Sequence, residues 1–146
     1  MFKKETEYAL RGLVYIQLQN HIGRKPGIAE IANEIDTPTS FTAKILQRLV
    51  RMRFIESVKG KNGGYYFSPD QKELSLKEVV MAIEGDRILT GCGFGLKQCD
   101  DENPCPLHNT FSSIRDAIEN LLSGETIQSL AKKENPKVVL NRYASE

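Results

Sequence analysis

The spacing of apolar residues changes near residue 54, and this change limits the chain to few folds. Before it, apolar residues recur every three or four positions, which predicts helices. After it come two short runs of aromatic and β-branched residues, FIESV and YYFS, which predict strands. The stretch between them, KGKNGG, is basic and glycine-rich and predicts a tight hairpin turn. We therefore expect a group of helices followed by one small β-hairpin.

Three helices are predicted ahead of the hairpin. The first covers about residues 6–19, and a short second helix covers residues 28–35. The third ends near Met52, with Thr37 as its predicted cap and Pro38 as its first residue. Between the second and third helices only a few residues remain, so the connection must be a tight turn.

This order of elements predicts a mainly α-helical fold with a small β-hairpin wing. Two helices joined by a tight turn and followed by a hairpin form a winged helix-turn-helix, which we assign to residues 1–72. Residues 73–124 are predicted to add a linker helix, a cysteine-containing loop (86–108) and a long dimerisation helix. Ser75 and Glu78 predict a capping box at the start of the linker helix, and Gly85 is its predicted end. A short helix and a loosely held tail are predicted for residues 125–146.

The long helix carries an apolar stripe of a kind that pairs two identical chains. Its members recur in steps of three and four residues: Phe111, Ile114, Ile118 and Leu121. The same stripe would also suit packing on the chain's own core. However, this helix follows a loop and lies far from the N-terminal core in sequence. We therefore expect it to hold a homodimer together.

The charge is uneven along the chain, although the formal net charge is only +1. Residues 1–68 carry 11 Lys and Arg against 6 Asp and Glu, whereas residues 69–146 carry 9 against 13. A basic half predicts a polyanionic partner, and a winged helix-turn-helix makes double-stranded DNA the expected one. The residues expected to contact DNA are Thr39, Ser40, Phe41, Lys44, Arg48 and Arg51 on the third helix and Lys59 and Lys61 on the hairpin turn.

Each of these residue types has a chemical reason to contact DNA. The hydroxyl groups of Thr39 and Ser40 can bond to phosphates or bases, and Phe41 can press on a thymine methyl group. Cations at the end of the third helix suit phosphates. The glycines beside Lys59 let the wing approach a minor groove closely. Each lysine alone is an ordinary exposed cation, and it is their joint placement on a winged-helix pattern that predicts a DNA-binding face.

One loop gathers all three cysteines of the chain and one of its two histidines. The spacing is C-x6-C-x5-C-x2-H, formed by Cys92, Cys99, Cys105 and His108. Three thiolates and an imidazole suit a tetrahedral zinc ion, or an iron–sulfur cluster with one non-cysteine ligand. A loop without any metal is the third possibility, and ligand chemistry alone does not choose among them. The odd number of cysteines argues against a disulfide framework.

Four stretches carry a resemblance to a known family: TEYALRGLVYI, IAEIANEI, SFTAKILQRLVRMRFIESVKGKNGGYYFS and LSLKEVVMAIEGD. Over about residues 1–130 the chain resembles the bacterial, BadM-type family of winged-helix regulators. That family includes the iron–sulfur regulator IscR, the nitric-oxide sensor NsrR and the cysteine-metabolism repressor CymR. The resemblance implies a dimer that binds a partly palindromic operator, with Ser40 and Phe41 on the recognition helix and Lys59 in the wing.

The resemblance also implies what the cysteine loop binds. In the sensing members, cysteines matching Cys92, Cys99 and Cys105 carry an iron–sulfur cluster. The fourth ligand matches either His108 or, in members similar to NsrR, Glu7 of the partner subunit. A histidine ligand implies a 2Fe–2S cluster, which we favour, and a carboxylate implies a 4Fe–4S cluster. Such a cluster can be absent from protein purified in air.

Two positions depart from the family pattern. Ala43 stands where IscR has a base-reading glutamate, so the operator preference of IscR does not carry over to this chain. Asn62 stands where many members have a glycine in the wing. Asparagine tolerates the left-handed backbone conformation, so we expect the turn to keep its shape.

These features predict a dimeric, DNA-binding transcriptional regulator in the cytoplasm, of the repressor type and controlled by an iron–sulfur cluster. The alternative is a regulator of the same fold that has no cluster and responds to a partner protein or small molecule, or that holds structural zinc. An enzyme is not expected, because the sequence shows no nucleophile–base pair, phosphate loop or metalloprotease motif. No apolar run is long enough to cross a bilayer, and the N-terminus lacks the pattern of a secretion signal.

Overall fold

The computed structural model describes residues 1–133 and Leu140. The elements are α1 Lys4–His21, α2 Ile28–Glu34, α3 Thr39–Arg51, β1 Glu56–Val58, β2 Gly64–Tyr66, α4 Leu76–Glu84, α5 Arg87–Thr90, α6 His108–Gly124 and α7 Ile127–Ala131. This is the mainly α-helical fold with a small hairpin that the sequence predicts. The tail predicted after α7 lies outside the described residues, apart from Leu140.

The first helix, α1, lies at the centre of the fold. Its Tyr15 and Ile16 are buried almost completely, and α2, α3, α4 and α7 all pack against it. Three residues of α3 are buried in the same core: Ile45, Leu46 and Leu49. Each apolar side chain of this size stabilises the fold by about 1.5–3 kcal/mol when it leaves water. This burial fixes the direction in which α3 presents its outer face.

The two strands form an antiparallel hairpin, in which Glu56 lies opposite Tyr66 and Val58 opposite Gly64. Asn62 in the connecting turn has a φ angle of 65°, which is the left-handed conformation. The turn therefore keeps its shape with asparagine at this position, as the sequence predicts.

The loop between α1 and α2 supports the hairpin from one side. The backbone N–H of Tyr65 donates to the carbonyl oxygen of Pro26 over 2.9 Å. At Gly64, whose φ angle is 146°, an added Cβ would lie only 2.2 Å from the carbonyl oxygen of Lys25. Only glycine fits this close approach of two backbones, and the approach sets the position of the wing.

The start of α3 differs from the sequence prediction. The helix begins at Thr39, Pro38 is the capping residue, and no side chain caps the helix. Thr37 is buried, and its hydroxyl donates to the carbonyl oxygen of Ile35 over 3.3 Å instead of accepting from the helix. The chain turns sharply at Asp36, whose φ angle is 50°, and this turn directs Thr37 into the core.

The linker helix α4 begins with the predicted capping box. The Ser75 hydroxyl accepts from the N–H of Glu78 over 3.1 Å, and the Glu78 carboxylate accepts from the N–H of Ser75 over 2.8 Å. Gly85, with a φ angle of 83°, ends the helix as predicted. A second capping box, between Thr126 and Ser129, starts α7.

The two ends of the segment that contains α4, the cysteine loop and α6 lie side by side. Ser75 and Thr126 form an antiparallel bridge. The N–H of Leu76 donates to Glu125 over 3.0 Å, and the N–H of Ile127 donates to Leu74 over 2.8 Å. Both α4 and α7 also pack on α1, so the segment leaves and rejoins one core.

Within residues 1–133 and at Leu140, no helix is both long and apolar enough to cross a membrane.

Candidate functional site

The third helix presents a polar outer face. Ser40, Lys44, Gln47 and Arg51 recur at spacings of three and four residues and are all exposed. Gln47 is not among the residues predicted from the sequence, although its spacing from Lys44 is a signal that could have selected it. Glutamine can hydrogen-bond the edge of adenine with both ends of its amide group. The face therefore combines hydroxyl, amide and cationic groups, as base and phosphate recognition requires.

Two other predicted residues lie at the start of the same helix. Thr39 and Phe41 are both exposed. The Phe41 ring meets Tyr8 of α1 edge to face, with ring centroids 6.3 Å apart. This contact holds an apolar ring at the surface beside the polar face.

The structure puts Arg48 in a different place from the one predicted. Its guanidinium forms an ion pair with Glu5 of α1, with Nη1 2.6 Å from Oε1. Nη2 donates to the carbonyl oxygen of Ile83 at the end of α4 over 3.3 Å. Arg48 is half-buried and turned toward the protein, one residue beyond the exposed Gln47. Two of its donor groups are thus bonded within the protein, while the side chain keeps 35% of its surface exposed.

The wing carries exposed cations at its tip. Lys59 and Lys61 are exposed in the turn between the strands, and Gly60 between them has a φ angle of 96°. At the base of the wing, the Lys25 ammonium lies 4.6 Å from the centre of the Tyr66 ring. The structure thus has a basic hairpin tip in addition to the polar face of α3.

The cysteine loop brings its four predicted ligands together as two pairs. The sulfur atoms of Cys92 and Cys105 are 3.6 Å apart. The sulfur of Cys99 is 3.5 Å from Nδ1 of His108. The other ring nitrogen of His108, Nε2, lies 2.8 Å from a carboxylate oxygen of Asp101. A carboxylate on the distal nitrogen of a metal-ligating histidine fixes its ring orientation, and this arrangement is common in metal sites.

The environment of these side chains favours metal-binding forms. The His108 side chain is only 9% exposed although it begins a surface helix. Backbone hydrogen bonds lower the pKa of the Cys92 thiol, chiefly that from Leu96 and also those from Phe94 and Gly95, against the opposing effect of burial. A lowered pKa favours the thiolate, which is the form that binds metals.

The pairs do not merge into one mononuclear site. Among residues 1–133 and Leu140, no three Cys, His, Asp or Glu side chains are placed so that they could hold one metal ion. The alternative ligand, Glu7, lies on α1 and pairs with Lys4, with 3.7 Å between the charged atoms. Within one chain, therefore, the structure brings His108 and not Glu7 into the cysteine loop.

Two contacts attach the loop to α6. The Arg115 guanidinium donates to the carbonyl oxygen of Gly91 over 3.3 Å, directly before Cys92. An added Cβ at Gly93 would lie 2.5 Å from the Phe111 ring, so the loop backbone rests on that ring. Cavities of about 470 Å³ and 560 Å³ lie beside Cys92 and Cys99 respectively. One donor of each pair therefore lines a surface cavity.

The fold and the polar helix with its basic wing define a winged helix-turn-helix protein of the DNA-binding class. Residues 2–133 match the Rrf2 family, which is described as "Iron-dependent Transcriptional regulator". The chain therefore belongs to the Rrf2 family of transcriptional regulators, as a regulator and not an enzyme.

Individual relatives agree with this assignment. The HTH-type transcriptional regulator NsrR of Oceanobacillus iheyensis is 26% identical over 139 residues, which cover 94% of this chain and 94% of that protein. The HTH-type transcriptional regulator IscR of Serratia proteamaculans is 24% identical, covering 95% and 84%. The structure of CymR, "the Global Cysteine Regulator of B. subtilis", matches with a TM-score of 0.72 and 18% identity, covering 90% and 95%. The family and the fold expected from the sequence are confirmed.

Proposed function

We propose that the chain is a dimeric transcriptional repressor that acts in the cytoplasm, with an operator affinity set by an iron–sulfur cluster. Cys92, Cys99, Cys105 and His108 would hold the cluster. The observation that carries the proposal is the arrangement of these four donors as two close pairs in one loop. The family description as iron-dependent and the names of the NsrR and IscR relatives support it.

The pair distances fit a two-iron group. Metal–sulfur bonds of about 2.3 Å at a tetrahedral centre put two ligands roughly 3.8 Å apart. The Cys92–Cys105 and Cys99–His108 separations of 3.6 Å and 3.5 Å are close to this value. A 2Fe–2S cluster needs two ligands on each iron, whereas zinc needs all four donors around one ion. The two pairs therefore favour 2Fe–2S over structural zinc.

The chain's own residues would prepare this site. Backbone amides of the 94–96 turn stabilise the Cys92 thiolate, and Asp101 holds the His108 ring with Nδ1 toward Cys99. When bound, the cluster supplies a group whose charge and stability respond to iron supply, oxidants or nitric oxide. We favour His108 over Glu7 as the fourth ligand, because His108 already lies 3.5 Å from the sulfur of Cys99, whereas Glu7 would have to come from the partner subunit.

DNA binding would use α3 and the wing of each subunit. The residues proposed to contact DNA are Thr39, Ser40, Phe41, Lys44, Gln47 and Arg51 on α3 and Lys59 and Lys61 in the wing. In a two-fold symmetric dimer, two such faces match a partly palindromic operator.

The dimer would form through α6. Ile114 and Leu121 of the predicted stripe are seven residues apart and are 50% and 47% exposed, and Leu107, directly before the helix, is 44% exposed. An apolar residue repeated with this period along a helix suits a second identical helix. Phe111 and Ile118, also predicted for the stripe, are more buried, and Ile118 packs on the chain's own core.

The test is an absorption spectrum of protein purified without oxygen, with iron and sulfide assays on the same sample. We expect a coloured protein with two iron and two sulfide ions per chain, as a 2Fe–2S cluster contains. His108→Ala should lower the cluster content, and Glu7→Gln should not. A colourless protein that resists reconstitution with iron and sulfide would contradict the cluster.

The same preparation tests a second candidate, a regulator without a cluster that responds to a partner protein or small molecule. The observation in its favour is that, within the described part of the chain, no three Cys, His, Asp or Glu side chains are placed around one point where they could hold a metal ion. A colourless protein that still binds DNA would support this candidate. Stoichiometric zinc would instead assign the loop a structural role.

A further inference from the structure

Arg48 makes polar contacts with two other helices. It belongs to α3, it is paired with Glu5 in the first turn of α1, and it donates to Ile83 in the last turn of α4. A second bond joins the same two helix ends, because the N–H of Lys3 donates to the Glu84 carboxylate over 3.2 Å. Through Arg48, polar contacts therefore link α3 to the start of α1 and to the end of α4.

The helix ends make this a favourable place for an arginine. The last carbonyl groups of a helix have no partner within it, and a cation near them interacts well with the helix dipole. An acidic residue such as Glu5 is favourable in the first turn of α1 for the opposite reason. The planar guanidinium can serve both groups at once, which the single ammonium of lysine cannot do in the same geometry.

The end of α4 leads directly to the cysteine loop. Gly85 ends the helix, the short helix α5 follows, and Cys92 comes next after Gly91. A change in the loop that moves or tilts this connection changes the position of Ile83. Because Arg48 donates a hydrogen bond to the carbonyl oxygen of Ile83, this shift would also change the position of the Arg48 guanidinium.

We propose that Arg48 is a positioning residue that transmits the state of the cysteine loop to α3 instead of contacting DNA. This inference rests on the proposed function of the loop. The states of the loop must differ in how well they keep the Arg48–Ile83 and Arg48–Glu5 contacts, since only such a difference couples two sites. The state that binds DNA is the one that keeps both contacts, and because coupling is reciprocal, DNA bound on α3 then stabilises the end of α4.

The reciprocal effect gives a test that needs no cluster. Amide hydrogen exchange of cluster-free protein is measured with and without a duplex that the wild-type protein has selected from a random-sequence pool. In the wild type we expect the duplex to slow exchange in residues 83–91 by at least roughly fivefold. In Arg48→Met and in Glu5→Gln this slowing should be lost, although Glu5→Gln makes the chain more positive.

Arg51→Met is the matched control, because it removes the same charge from the exposed face of the same helix. It should weaken duplex binding and lower the salt dependence by about one unit, yet keep the slowing at residues 83–91. The proposal is overturned if the duplex slows exchange there equally in all variants. It is also overturned if wild-type protein binds the duplex without any slowing at these residues.

A second measurement distinguishes this proposal from that of the cluster. The ratio of duplex affinities with and without reconstituted cluster should move toward one by at least roughly fivefold in Arg48→Met and Glu5→Gln. It should stay at the wild-type value in Arg51→Met. If the wild type takes up no cluster, the proposed function fails, and the exchange measurement still decides the role of Arg48.

Discussion

The DNA-facing half and the cysteine loop are held in shape by different means. In the first, side chains such as Leu46 and Ile31 are buried in one core shared by several helices. In the loop, Phe94 and Leu96 are 55% and 53% exposed, and attachment to α6 depends on a few contacts such as that of Arg115 with Gly91. Burial thus holds α3 against the core, whereas few contacts hold the loop against α6.

Removing the metal-type ligands should separate the two regions most completely. In the protein with Cys92, Cys99 and Cys105 all replaced by Ala, we expect bound iron and sulfide to be lost entirely. The unfolding free energy of the cluster-free protein should change by less than about 0.5 kcal/mol per site, because these side chains contribute little to the core. Iron and sulfide assays and urea unfolding measure the two effects. Full retention of iron and sulfide would contradict the site.

The next largest difference between the two regions is expected in the unfolding free energy, when one leucine in each region is replaced by alanine. Leu46→Ala should lower the unfolding free energy by about 2–5 kcal/mol, because it leaves a cavity in the core. The matched change in the loop, Leu96→Ala, should cost less than about 0.5 kcal/mol. Urea unfolding of both variants without cluster checks the pair. Equal losses would mean that the loop is packed as firmly as the core.

A change at the start of α4 should lower the stability of the fold, as a change in the packed region does, although this helix leads toward the cysteine loop. Ser75→Ala removes the capping box and should cost about 1 kcal/mol of stability. Ser113→Ala is the control, since that exposed hydroxyl bonds only to its own helix at Thr110. Iron content should be unchanged in both variants. A loss of cluster in Ser75→Ala alone would show that the loop depends on the position of α4.

The smallest effect is expected at the wing. Lys59→Ala should weaken binding of the selected duplex a few-fold and reduce the slope of log affinity against log salt by about 0.9, as for one lost phosphate contact. The control is Lys97→Ala, which removes an exposed cation from the cysteine loop. An unchanged slope for Lys59→Ala would show that Lys59 in the wing does not contact a phosphate of the DNA.

The sequence predicts the packed half well because burial leaves a periodic pattern. The switch of period near residue 54 located the hairpin, and the spacing of Ser75 and Glu78 located the start of α4. Thr37 was wrong as a helix cap, because local preference for threonine does not show that Asp36 turns the chain and buries it.

The functional side chains were less predictable because their partners are distant in sequence. Arg48 follows Lys44 by four residues, which suggested a shared outer face. Nothing local reveals that Glu5 and Ile83 meet its guanidinium. The cysteine spacing likewise predicts a ligand set, which stays a prediction, but it does not predict the pairing of Cys99 with His108, which depends on how the loop folds back on α6.

The bridge between Ser75 and Thr126 affects how the segment between these residues can vary in length. The chain enters and leaves this segment at neighbouring positions on one core, Ser75 and Thr126. The segment is therefore arranged like an insertion between two adjacent points of the fold. Lengthening or shortening it changes the entropy of closing the chain only slightly. Because α4 and α6 also bury Val79, Val80 and Leu122 in the shared core, only the loop between these two helices can vary in this way without loss of core packing.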